Sequence, residues 1–174
     1  SRKYRINCST CSGAYILRRM GFDVEAKANI AANTLNRALS IGKTCWEKWI
    51  GGRTTYTATT DWMIKNRVIC MDKAQYKRYI DDCTKEPGIY EWVVGWHDGG
   101  GGHSTLIERT KDGKLRLIDQ QNAVDAATAA KKFEYWLDAA DKFPTDTRGI
   151  LRVDNAMFNP KYARAVRKKS KGRK

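Results

Sequence analysis

The sequence is poor in histidine and proline and has no long apolar run, and each scarcity excludes something. There are two histidines, His97 and His103, so a search for a catalytic base is short. Cys8-x-x-Cys11 has no second closely spaced Cys or His pair among Cys45, Cys70, Cys83, His97 and His103. A zinc site is therefore not expected, and neither is any other metal or cofactor. A thioredoxin-like redox pair would want Gly-Pro between the cysteines after a strand, and Ser9-Thr10 stands there instead. No stretch reaches the ~18 apolar residues of a membrane span. Five cysteines form no small-domain disulfide framework and fit a reducing compartment. Acids are missing from residue 161 onward, where eight basic residues fall in fourteen positions.

What is present suits a globular domain. The 174 residues are 41% apolar, with six Trp and eight Tyr, enough for a real core without disulfide staples. The chain opens without Met and close to its key motif, which reads as a module cut from something longer. The net charge is +14, more than half of it contributed by residues 161–174. We expect a domain over residues 1–160 and a solvated basic tail over 161–174 with non-specific affinity for polyanions. No aromatic follows Tyr162, so base stacking has little support there.

The chain is organised around residues 7–21. Residues 9–20 lack proline, with Cys8, Cys11, Ala14 or Tyr15, and Arg18 or Met20 at helical spacing; Gly21 suits the stop. Cys8 then starts a helix, where unpaired N–H groups and the positive end of the dipole favour a thiolate. Cys11, one turn in, is expected to face the core and is the secondary candidate nucleophile. A buried, inert cysteine is the plainer reading of either.

Further along, residues 22–26 alternate apolar and acidic, and 29–40 read as a second helix. Trp46 and Trp49 suit core or cleft wall, Gly51-Gly52 a turn, and 54–60 have strand composition. Residues 73–83 form a helix with Tyr76, Tyr79, Ile80 and Cys83 on one stripe. A buried strand over 89–96 leads through Gly99 to Gly102 into His103 and a second strand over 104–110. The chain turns at 111–113 and returns as a strand over 114–119. A long helix over 122–143 follows, with Ala127, Phe133, Trp136, Leu137 and Ala140 as core, and a last strand over 148–153.

The turn decides a geometry. A two-residue loop at Asp112-Gly113 puts His103 and Asp119 on opposite faces of the ribbon. A three-residue loop, with Gly113 left-handed, pairs Thr110 with Lys114, so Thr105 faces Asp119 and His103 faces Gln121. His103 and Asp119 then lie on one face as diagonal neighbours ~7–8 Å apart at the backbone. Lys-Asp-Gly suits the longer loop. Cys8 is then a candidate nucleophile, His103 its base and Asp119 the acceptor that fixes the imidazole. Asn7 or Gln121 is placed to donate to an oxyanion, and the glycines before His103 to let a substrate approach the backbone. His103 as a plain strand end and Asp119 as a helix cap are the alternatives.

Asn-Cys-x-x-Cys-x-x-Ala-Tyr-x-x-Arg-Arg-x-Gly-x-Asp-Val, residues 7–24, resembles the papain-fold toxin family of predicted glutamine deamidases. Such domains end bacterial polymorphic toxins and phage head-morphogenesis proteins of the Mu F type. Later blocks match in order: Pro87-Gly88, Gly101-Gly102-His103, Leu115-Arg116-Leu117-Ile118-Asp119-x-Gln121 and Leu151-Arg152-Val153-Asp154-Asn155. The resemblance implies a papain-like α+β fold, its nucleophile helix packed on an antiparallel sheet, and a Cys-His-Asp site at Cys8, His103 and Asp119. It further implies a domain delivered from a producing bacterium, acting on a protein in the recipient cytoplasm, with a cognate immunity protein. Relatives often carry Asp-Pro-Gln-Ser/Thr-Gly where this chain has Asp119-Gln120-Gln121-Asn122-Ala123, and Ser12-Gly13 replaces two small apolar residues. Glutamine deamidation leads; a cysteine protease shares the chemistry, and a non-enzymatic nucleic-acid-binding or virion module rests on the charge.

Overall fold

The computed structural model describes residues 8–27, 45–47, 54–97, 101–120, 125–145 and 148–169. The expected helix over 29–40, Trp49, Gly51-Gly52 and the first half of the glycine run, Gly99 and Gly100, lie outside these. The fold is α+β with antiparallel sheets. It divides into two compact units, Ser1–Thr54 with Ala156–Lys174, and Thr55–Asn155. Among the described residues no helix is long and apolar enough to cross a membrane.

In the first unit, helix α1 spans Cys8–Arg19 and ends at Gly21, as its spacing predicts. Its buried side is Thr10, Ser12, Gly13, Ala14, Ile16 and Leu17. Strand β1 (Val24–Ala26) follows, then β2 (Trp46–Glu47), whose Trp46 is almost wholly buried. β2 pairs with β8 (Met157–Phe158), with Trp46 opposite Phe158 and their rings edge to face.

The end of the chain corrects an expectation. Residues 161–169 are not a solvated tail. A 3-10 helix spans Pro160–Ala165, with Asn159 accepting from the Lys161 N–H at its start, and β9 (Val166–Lys168) pairs with β1. The cause is apolar: Tyr162 and Ala165 are buried, and Arg167 sits opposite Glu25 with its Nε 2.6 Å from the carboxylate. Charge density concealed a short amphipathic segment whose acidic partner lies on β1.

The second unit is built on a five-stranded sheet in the order β3-β7-β4-β5-β6, every pair antiparallel. Strand β4 (Gly88–Gly95) is central, between β5 (Gly102–Arg109) and β7 (Gly149–Arg152). β6 (Leu115–Ile118) and β3 (Thr57–Ala58) form the edges. The strand expected over 54–60 is only those two residues, because helix α2 (Thr59–Asn66) takes over. Asp61 favours its positive end, and helical phase carries Trp62 to the core, where its Nε1 donates to Asp82.

Helix α3 (Lys73–Cys83) is capped by Asp72, whose carboxylate accepts from the Gln75 N–H. Of its predicted stripe, Tyr76, Tyr79 and Ile80 are buried and Cys83 is half-buried. Helix α4 runs over Ala126–Ala139 with Asp125 as cap, shorter than the expected 122–143, and Ala129 replaces exposed Ala127 in the core. Tyr79, Ile80, Tyr90, Trp92, Val94, Ile107, Leu137 and Ile150 share one cluster under these helices. Each fully buried side chain of this size contributes ~1.5–3 kcal/mol. The opposite face of β4 and β5 is buried as well. There Leu106 is fully covered and Glu91 accepts hydrogen bonds from Ser104 Oγ (2.7 Å) and Tyr56 OH (2.9 Å). Burial pushes the Glu91 carboxyl above its usual range against those hydrogen bonds and the nearby Arg148 charge.

Candidate active site

The β5–β6 hairpin takes the three-residue loop. Leu106 pairs with Ile118 and Arg109 with Leu115, the Thr110 N–H donates to the Lys114 carbonyl, and Gly113 has φ +81°. Thr105 Oγ1 reaches the Ile118 carbonyl at 3.1 Å, which extends the register to the residue before Asp119. Period-two alternation then sets His103, Thr105 and Ile107 on the face of Asp119, and Leu106 and Ile118 on the other.

That face is not open, because α4 lies over it. The imidazole of His103 packs 4.7 Å from the Trp136 ring, and Trp96 stacks at 6.5 Å. Nε2 of His103 is buried with no hydrogen-bond partner among the described residues. The Asp119 side chain is 1% exposed, and Lys132 of α4 donates to it at 2.7 Å. Burial is the largest influence on His103 and lowers its pKa below the usual imidazole value; Asp119 pulls it up and Lys132 pushes it down. Asp119 thus lies beside the Lys132 amine and an imidazole that burial favours in its neutral form. It is not a helix cap, a role taken by Asp125.

Lys132, Trp96 and Trp136 were not among the residues sequence reasoning selected. Trp136 fell on a helix stripe and reads as core. Lys132 carried no signal, because its partner is thirteen positions away in another element.

His97 serves structure instead. It is exposed, and its Nδ1 donates to the Ala139 carbonyl at the end of α4, 2.9 Å away. A histidine there satisfies a helix C-terminal carbonyl. The space before His103 is also spoken for: a Cβ on Gly102 would stand 2.3 Å from the Val94 carbonyl oxygen. Glycine at 102 is therefore required by the neighbouring strand rather than by a substrate.

In the other unit, Cys8 is the first residue of α1, half-buried and free. Cys11, expected to face the core, is only partly covered, because the buried side of α1 is set by Thr10, Ser12, Gly13 and Ala14. The oxyanion candidates Asn7 and Gln121 lie outside the described residues. Gln120, next to Asp119, donates from Nε2 to the Ser104 carbonyl. So the structure brings His103 and Asp119 to one face of one sheet and sets Cys8 at a helix start. Against protein-family models and curated proteins, the chain matches none.

Proposed function

We propose that this chain is a cysteine-dependent hydrolase of the papain-like kind that deamidates a glutamine side chain on a target protein. The observation that carries the reading is that His103 and Asp119 lie on one face of the β5–β6 ladder, close enough for the carboxylate to act on the imidazole, whose Nε2 has no hydrogen-bond partner among the described residues. A neutral imidazole with an uncommitted ring nitrogen is what a thiol nucleophile requires. Cys8 at the first residue of α1 supplies the sulfur. In this reading Cys8 passes its proton to His103 and attacks the carboxamide carbon. Ammonia leaves with that proton, and water, activated by His103, releases glutamate from the thioester. Asp119 stabilises the imidazolium formed in between. The resemblance of residues 7–24, 101–121 and 151–155 to the papain-fold toxin family supports the substrate class. It also supports delivery from a producing bacterium into a recipient cytoplasm, under the guard of an immunity protein.

The test is the mass of candidate target proteins after incubation with the chain and with Cys8→Ala. Deamidation adds about one mass unit per glutamine converted, and proteolysis gives fragments instead. Cys8→Ala is expected to abolish the change, a loss of at least ~10³-fold typical of removing a nucleophile, with the circular dichroism spectrum retained. Cys11→Ala is expected to keep measurable activity. Full activity in Cys8→Ala with loss in Cys11→Ala moves the nucleophile to Cys11, and full activity in both ends the proposal.

A further inference from the structure

We propose that Cys8 and Cys11 form a reversible disulfide that withdraws Cys8 from chemistry under oxidising conditions and returns it under reducing ones. The regulatory half of this rests on Cys8 being the nucleophile; the disulfide itself does not. Three observations support the pair. Cys8 and Cys11 both belong to the first turn of α1, both are half-buried rather than enclosed, and neither is joined in a disulfide.

Helix geometry gives their separation. Three residues rise ~4.5 Å and turn back to nearly the same side, so the Cα atoms are about 5 Å apart. That lies within the span that disulfides bridge, roughly 4.4–6.8 Å. Mid-helix, such a bridge has to distort a hydrogen-bonded turn. At the first residue less is lost, because the Cys8 N–H has no intrahelical acceptor to give up. The contact that ties Cys8 locally is light: Ser12 Oγ donates to its carbonyl at 3.2 Å.

The competing thiol in this unit is Cys45, and it faces the wrong side. It is 4% exposed, and its sulfur stands 3.4 Å from where a Cβ on Gly13 would be. Gly13 points about 140° around the helix from Cys8 and about 160° from Cys11. A bridge from either cysteine to Cys45 would therefore have to pass through the helix.

The exchange balances with glutathione disulfide as oxidant. One cysteine sulfur attacks it, forming a mixed disulfide and releasing one glutathione. The second cysteine sulfur then displaces the other glutathione. Two electrons pass from the cysteine pair to the oxidant, and the two thiol protons end on the two glutathione molecules. A low-molecular-weight dithiol runs the sequence backward.

The sequence makes the test direct. Trypsin leaves Cys8 and Cys11 together in the peptide 6–18, and Cys45 in the separate peptide 44–48. The full chain is equilibrated with glutathione disulfide without denaturant, alkylated with iodoacetamide and digested. The expected product is peptide 6–18 about two mass units lighter than its unalkylated dithiol, carrying neither label, with Cys45 unbridged. Cys11→Ser should instead hold glutathione on Cys8. Recovery of doubly alkylated 6–18, a stable glutathione adduct on wild-type Cys8, or a cross-link to 44–48 overturns the disulfide. In parallel, amide-hydrolysing activity should fall at least tenfold on oxidation and return with dithiothreitol. Activity that persists in chain whose 6–18 peptide is fully bridged overturns the switch. A reduced chain with no activity on any target refutes the hydrolase reading and leaves the peptide result standing.

Discussion

His103 packs against two indoles that also neighbour each other, and burial does most to set its chemistry. Burial and Lys132 lower its pKa and Asp119 raises it, with burial largest. Above pH 6.5 the imidazole is neutral folded or unfolded and costs nothing. As pH falls below 6.5 the unfolded chain takes up the proton first, so stability declines from there until the lower folded pKa is passed. A base needed in its neutral form is thereby ready at neutral pH. Replacing Lys132 with Met removes one of the two lowering influences while leaving the stem's packing largely intact. The His103 pKa should rise toward its ordinary value in an NMR titration of the ring proton. The acid limb of any hydrolytic pH profile should move up with it. Because Asp119 then loses a charged partner in a buried place, unfolding in urea should come about 1–3 kcal/mol more easily. An unmoved His103 titration would mean that Lys132 packs beside the pair without acting on it.

The hairpin β5–β6 is the element on which the His-Asp pairing depends, and its register is written locally. Lys111-Asp112-Gly113 closes with the Gly113 N–H on the Thr110 carbonyl and φ +81° at Gly113. Arg109 reinforces it, donating to the Gly113 carbonyl and, through Nε, to the Thr84 carbonyl after α3. Gly113→Val forces a β-branched residue into the left-handed region and should cost about 1–2 kcal/mol, read as a lowered urea midpoint at unchanged slope. An unshifted midpoint would remove the argument that this turn fixes the phase of Asp119. The hairpin was legible in the sequence because turn chemistry and period-two alternation are short-range. The stripe of α3 and the apolar run of β4 were legible for the same kind of reason. Residues 54–60 were not: their threonines suit a strand, yet the pull of Trp62 toward Tyr79 and Asp82 makes a helix from Thr59 onward. Nor was the cover over His103 legible. The docking of α4 that brings Trp136 and Lys132 onto that face rests on contacts between elements, which no local turn or periodicity encodes.

At the scale of the whole molecule the net charge of +14 and the folded C-terminal segment have to be separated, since the same residues carry both. Val166–Lys168 is a strand on β1, so its cations are held in place, and Arg167 is partly offset by Glu25. Residues 170–174 add three more cations and no apolar side chain. Two truncations divide the roles. Ending the chain after Lys169 should leave the unfolding midpoint within experimental error. It should also reduce the slope of log affinity against log salt for random-sequence duplex DNA, by up to ~2.7 if all three cations meet phosphates. Ending it after Tyr162 takes away β9 and the buried Ala165, opening the backbone hydrogen bonds of β1 to water. Exchange of the β1 amides should then accelerate at least tenfold, and any loss of activity in this variant traces to structure rather than to charge. If the β1 amides stay as protected after the longer deletion as before it, β9 adds nothing to the fold, and residues 163–174 act through their charge alone.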